Sequence, residues 1–215
     1  MFKKTIQLIC AFEKKYGTIH FMYKSDAPAT LKKEKKQRFS TRDIVHIAVF
    51  AALLCVLAQI AVPTPWGIPF TLQTLGIMLS AVILGWAKGS IAVFIYVIMG
   101  AVGLPVFAGL NGGFGVIMGP TGGFILGFVP AAMFIGLLSV NPPAVKKTKS
   151  YCARLVAGIT VGLIIIYSIG TVWFMYLTNS TITAALSMAT LPFLLPEIPK
   201  AVIAIIGGVK ISVKQ

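Results

Sequence analysis

Glu197 and Lys200 stand three residues apart at the start of the last apolar run of this chain, Pro196–Val213. On a helix that spacing puts both side chains on one face. Pro196 and Pro199 suit the first turn of such a helix, where a missing N–H costs nothing. A carboxylate there accepts N–H donors, and an ammonium holds a carbonyl or an acidic group. Ionisable side chains inside a membrane segment mark a functional site by default, and here that reads as a ligand site. The plainer alternative is an ion pair snorkelling to the interface. Asn111, in Gly109-Leu110-Asn111-Gly112-Gly113, offers donors and an acceptor to a neutral polar ring, or serves only as a turn residue. Gln73, in Phe70-Thr71-Leu72-Gln73-Thr74, has the same chemistry, or bonds helix to helix.

The rest of the reactive inventory is thin. There is no G-x-x-x-x-G-K-[ST] phosphate loop. His20 and His46 are the only histidines, too few for a metal cluster. No Ser-His-Asp or Cys-His set falls in the apolar body. The expectation is a protein with no cofactor, no metal and no enzymatic activity. An intramembrane enzyme with Glu197 as general base would lack any titratable partner other than Lys200. If such a chain moves a solute uphill, the energy comes from an ion gradient or a partner protein. Cys10, Cys55 and Cys152 show no metal-like spacing, and a disulfide is not expected on the reducing side of a membrane.

The elements that must position these residues are membrane helices. Of 215 residues 57% are hydrophobic and 11% charged, less than half the charge of an ordinary soluble domain, and mean hydropathy is +0.91. A bilayer-spanning helix takes about 20 apolar residues. The runs are Asp43–Val62, Phe70–Ala87, the shorter Gly89–Leu104, Thr121–Val140, Arg154–Leu177 and Pro196–Val213. The fold class is therefore an all-α integral membrane protein with six transmembrane helices. Residues 1–42 form a basic cytoplasmic extension and residues 43–215 the membrane domain. Met22 would also serve as a start, so part of that extension is open to question.

Charge orients the bundle. Eleven of the nineteen Lys and Arg and three of the five acids fall in residues 1–42, which carry +8 of the net +14. This is read as a flank facing anionic membrane lipid at the cell membrane rather than as a nucleic-acid arm. With that tail inside, Lys88, Lys146, Lys147, Lys149, Arg154, Lys210 and Lys214 all fall inside too, and both termini are cytoplasmic. The outer connections 63–69, 105–120 and 178–195 contain no Lys or Arg. Lys200, at the outer end of the sixth helix, breaks the pattern.

Ten glycines between 100 and 127, with Pro105 and Pro120, argue against continuous helix over 104–120. Irregular backbone of this hydrophobicity must be buried or line a cavity, so an apolar loop folded over the outer mouth is expected. Small residues four apart permit close helix contact. Gly119-x-x-x-Gly123-x-x-x-Gly127 and Gly158-x-x-x-Gly162 suit packing within the bundle, and Ala48-x-x-x-Ala52 suits either that or an external partner helix. Trp66, Phe70, Phe107, Phe114, Phe124, Trp173, Tyr176 and Phe193 crowd the outer half, as ligand-stacking rings or as an interfacial belt.

Several of these stretches resemble the BioY family, the biotin-binding S components of energy-coupling-factor transporters. They are Pro69-Phe70-Thr71-Leu72-Gln73-Thr74-Leu75-Gly76, the run from Tyr96 to Gly109, Gly119-Pro120-Thr121-Gly122-Gly123-Phe124-Ile125-Leu126-Gly127-Phe128, Leu191-Pro192-Phe193, and the acid-x-x-Lys at Glu197–Lys200. The resemblance spans about residues 43–212 and implies a six-helix bundle with an outward-facing biotin pocket. It implies that Asn111, Glu197 and Lys200 contact the ligand, with Glu197 where Asp is common and Phe124 where Tyr is common. It also implies that the Ala48 and Ala52 face docks on a transmembrane coupling subunit joined to two cytosolic ATPases. Biotin's ureido ring would meet Asn111 and Glu197, with Gln73 nearby and Phe107 and Phe114 against its rings. Lys200 would balance either Glu197 or the biotin carboxylate. An S component for another vitamin is the alternative, since a scaffold does not fix its substrate.

Overall fold

The structure, a computed structural model, describes residues 39–139 and 148–212. The N-terminal extension up to residue 38, Lys146, Lys147 and Lys214 lie outside the described residues. Helix α1 is Thr41–Gln59, followed by a two-residue ribbon, β1 (Ala61–Val62) antiparallel to β2 (Phe70–Thr71). Helix α2 is Gln73–Ala101, and a 3-10 turn spans Ala108–Leu110. Then come α3 (Phe114–Ile117), α4 (Gly122–Ser139), α5 (Thr148–Thr178), α6 (Ile182–Ala189) and α7 (Leu191–Ser212).

Among the described residues, five stretches are long and apolar enough to cross a membrane, and α2 is one of them. It is not one rod. Gly85 has φ +76° and ψ −178°, a conformation that side-chain-bearing residues essentially never adopt, and the chain reverses there. Two facts fix the reversal. The Gln73 side chain reaches Tyr96, 23 residues on, and a Cβ on Gly89 would lie 2.7 Å from the Ser80 carbonyl oxygen. The arms 73–84 and 86–101 are the second and third expected helices, so the bundle has six.

Boundaries differ from expectation for local reasons. The second helix starts at Gln73 rather than Phe70 because Phe70 and Thr71 pair with Val62 and Ala61. The last helix starts at Leu191, so Pro196 and Pro199 sit in its interior and not in its first turn. Each proline withholds the N–H that the carbonyl four residues earlier would take, with Pro196 half-buried and Pro199 exposed. The expected connection 178–195 holds α6, with Thr181 as its N-cap.

The inner end is tied by polar groups. The Asp43 carboxylate accepts from the Ser40 backbone N–H at 3.1 Å and pairs with Lys88 just past the hairpin turn. Ser139 donates to the Ala81 carbonyl, and a Cβ on Gly208 would strike Val82. Lys88, Arg154 and Lys210 therefore share one end, opposite the three connections that lack basic residues. Helix α4 lies against α5 where glycines remove side chains. A Cβ on Gly123 would stand 2.2 Å from Trp173 Cβ, and one on Gly162 2.5 Å from Ile135 Cδ1. The small-residue spacings of 123–127 and 158–162 thus serve packing within the bundle. The face of α1 bearing Ala48 and Ala52 is exposed, together with Val45, Val49 and Val56.

Gly85→Ala should lower the stability of the detergent-solubilised protein by about 1–3 kcal/mol, read as a reduced thermal midpoint. Gly115→Ala, where a Cβ meets open space, should stay within about 0.5 kcal/mol.

Candidate functional site

At the outer end the connections and four helices enclose a cavity of about 160 Å³. Its apolar wall includes Ile68, Phe107, Phe124, Ile125, Phe128 and Phe193. Its polar groups are Thr71, Gln73, Thr74, Asn111, Thr121, Tyr167, Glu197 and Lys200. Mostly apolar lining with a few placed polar groups is the usual composition of a small-molecule site.

The polar end is built on α7. Glu197 and Lys200 are 3% and 8% exposed, far too buried to snorkel. The Lys200 Nζ donates to Glu197 Oε1 at 2.9 Å, to Thr74 Oγ1 at 3.0 Å and to the Thr71 carbonyl at 2.7 Å. An ammonium has three hydrogens, and each has an acceptor inside the protein. Glu197 Oε1 also accepts from Thr74 Oγ1 at 2.9 Å and from the Tyr167 hydroxyl at 3.2 Å. Its second oxygen, Oε2, is buried without a hydrogen-bond partner among the described residues. A buried carboxylate oxygen in that condition calls for a donor. Trp66 Nε1, in the connection between β1 and β2, is the other such atom.

A second cluster sits under the Gly-rich connection. Gln73 Nε2 donates to the Tyr96 hydroxyl at 2.5 Å, Gln73 Oε1 accepts from Thr71 Oγ1 at 2.9 Å, and the Tyr96 hydroxyl lies 3.3 Å from the Val106 carbonyl. The Phe107 ring stands edge-on to Tyr96, with centroids 5.6 Å apart. It fills space left by Gly100, where a Cβ would come within 2.1 Å of the ring. The chain bridges back from Phe107 to Asn111, whose Nδ2 donates to the Ala108 carbonyl at 2.8 Å.

Of the six ligand-contact candidates read from sequence, Gln73, Phe107, Asn111, Glu197 and Lys200 line the cavity. Phe114 does not. Gly113, at φ +94°, turns the chain ahead of it, and its side chain is 62% exposed. Phe124 lines the cavity with its ring edge-on to Tyr167, so a hydroxyl reaches Glu197 from α5. Trp173 bonds the Gly119 carbonyl, and Tyr176 is 78% exposed.

Sequence reasoning missed Thr74, Tyr167, Tyr96 and Gln59. The available signal was the same for all four, a polar group inside an otherwise apolar helix. Gln59 is the single amide in the first expected helix.

Residues 32–214 match the family model described as the BioY family. The chain belongs to the BioY family. Relatives in that family include the "Biotin transporter BioY" of Thermotoga maritima, 38% identical over 80% of this chain and 96% of the relative. The protein of the same name in Rhodobacter capsulatus is 39% identical over 65% of this chain and 72% of its own length. Among solved structures, the S-component for biotin from an ECF-type ABC transporter superposes with a TM-score of 0.71 at 25% identity, covering 87% of this chain and 96% of that one. The six-helix bundle thus belongs to a BioY fold.

Lys200→Met should destabilise the ligand-free protein by about 3–5 kcal/mol, because it leaves the Glu197 charge buried and alone. Adding Glu197→Gln should restore most of the lost thermal midpoint. A single variant as stable as the parent would mean that the pair carries no net electrostatic load.

Proposed function

We propose that this protein captures biotin in its outer cavity and delivers it for ATP-driven uptake with separate coupling and ATPase subunits. The observation that carries the reading is the unpaired, buried Oε2 of Glu197, a residue that lines a largely apolar cavity, in a chain of the BioY family. Biotin presents two ureido N–H donors and a ureido carbonyl beside an apolar thioether ring. Glu197 Oε2 accepts one of those N–H groups. Phe107, Phe124 and Phe193 supply apolar contact, and Asn111 meets a polar group at the rim.

Lys200 has a supporting role in this reading. With its hydrogens committed to Thr71, Thr74 and Glu197, it neutralises the carboxylate and fixes its direction. The ligand's own carboxylate then stays at the rim, away from the buried pair. Nothing in the arrangement calls for catalysis. The exposed Ala48 and Ala52 face of α1 is the docking surface for a transmembrane coupling subunit. Small residues there let a partner helix approach closely.

Calorimetry with purified protein should show saturable biotin binding, weakened about tenfold by Asn111→Ala, the loss of one neutral hydrogen bond and its partner's desolvation. A folded, monodisperse sample that binds no biotin overturns the assignment and directs the search to other vitamins. Replacing Ala48 and Ala52 by Leu should leave biotin affinity within about twofold. The same pair should abolish copurification with a coupling subunit.

A further inference from the structure

Gln59 ends α1, yet its side chain works on a segment 47 to 51 residues away. Its Nε2 donates to the Val106, Phe107 and Cys55 carbonyls, each at 3.2 Å. Its Oε1 accepts the Leu110 backbone N–H at 2.9 Å, which sets the orientation of the amide. An amide nitrogen has two hydrogens, and three carbonyls compete for them. One of the three belongs to α1 itself. A hydrogen released by the segment can pass to Cys55 without being left unpaired.

The segment so held is under backbone strain. Gly109 has φ +70° and Leu110 φ +57°, and a leucine in the left-handed region is unfavourable. Such a conformation persists only where surrounding contacts impose it. Phe107 and Ala108, on one side of the strained pair, and Asn111, on the other, all line the cavity. Leu110 itself is exposed, so packing does not hold it down. Gln59 bonds the preceding flank of the bend and Leu110 within it.

We propose that Gln59 is a positioning residue, a clasp that holds segment 106–110 across the cavity and sets how long a bound ligand stays. It does not touch the ligand. The three bonds it donates are long for N–H···O and over-subscribed, and strain opposes the segment's bend, which makes the clasp releasable. Only the identity of the ligand in this proposal rests on the biotin reading.

The test uses the full chain and the nearly isosteric Gln59→Met, with Gln59→Glu, which keeps the Leu110 acceptor, as a second variant. Dissociation of labelled biotin, chased with unlabelled biotin, should speed up about tenfold in Gln59→Met, the loss of one or two neutral hydrogen bonds, while association does not slow. Hydrogen exchange without ligand should be faster by a similar factor at the Phe107 and Leu110 amides. At the Ile125 amide, bonded to Thr121 at the start of α4, it should not change. General loss of structure would move all three. Dissociation within twofold of the parent, or an affinity loss that comes from slower association, overturns the clasp. If the parent binds no biotin, the functional assignment falls. The exchange comparison still decides the clasp, and unchanged Phe107 and Leu110 amides would sink it.

Discussion

The buried pair of Lys200 and Glu197 is the constraint that organises this protein. Moving an ammonium and a carboxylate out of water costs several kcal/mol each, and their mutual attraction offsets that only when the remaining hydrogen-bonding capacity is also met. All of it but one carboxylate oxygen is met, from three helices and a strand end. Thr71 supplies a carbonyl, Thr74 a hydroxyl that both donates and accepts, and Tyr167 a second donor. For these to converge, the start of α2, the C-terminal half of α5 and the second and third turns of α7 must meet at one depth. That convergence places the floor of the cavity. The ammonium is fully satisfied and the carboxylate is not, so the cavity's polar end carries no net charge and has one acceptor to spare.

The hairpin in α2 explains why the cavity can exist. Its arms, 12 and 16 residues long, rise about 18 and 24 Å, less than the roughly 30 Å of the hydrocarbon core. The thickness left over at the outer end is filled by irregular chain, whose amides lipid cannot satisfy. They are satisfied by protein. The ribbon of β1 and β2, the bridge from Phe107 to Asn111 and the side chains of Gln59 and Trp173 take up those groups. The Gly-rich connection is therefore the roof of the cavity. Glycines of the helices around it let the Phe107 ring close on Gly100 and let α4 meet α5 without intervening side chains.

Much of this was legible in the chain. Hydropathy located the helices because each must cover a fixed thickness, and the distribution of Lys and Arg gave their direction. Glu197 and Lys200 stood out because an ionised pair in an apolar run needs a reason. The hairpin was legible only as two runs flanking Lys88, since nothing in the pattern says that Gly85 rather than Gly89 carries the reversal. Pro196 and Pro199 pointed to a first turn, and the helix starts five residues before Pro196. Proline preference reports only a local cost, which does not fix where a long helix begins. Phe114 and Phe107 looked alike in sequence, both aromatic and beside glycines. Only the turn at Gly113 separates an exposed ring from a buried one. Gln59 and Thr74 escaped notice because their partners lie 51 and 123 residues away. Hydropathy and spacing carry no information about such distances.

The half-satisfied carboxylate also bears on selectivity. A ligand entering the cavity meets a Glu197 whose Oε2 is already buried and without a hydrogen-bond partner among the described residues. If it brings an N–H to that oxygen, a charge-assisted hydrogen bond forms in a low-dielectric site, where it is strongest. If it is an apolar molecule of the same shape, the oxygen stays unpaired and the ligand forgoes that bond. A site built around one unmet acceptor thus rejects isosteres lacking the donor far better than a purely apolar pocket rejects a change of one methylene. Holding the acceptor rigid is essential to this discrimination, because a carboxylate free to rotate would find another partner. Three hydrogen bonds to Oε1, from Lys200, Thr74 and Tyr167, remove that freedom. The interactions that make the buried pair tolerable are therefore the same ones that make it selective.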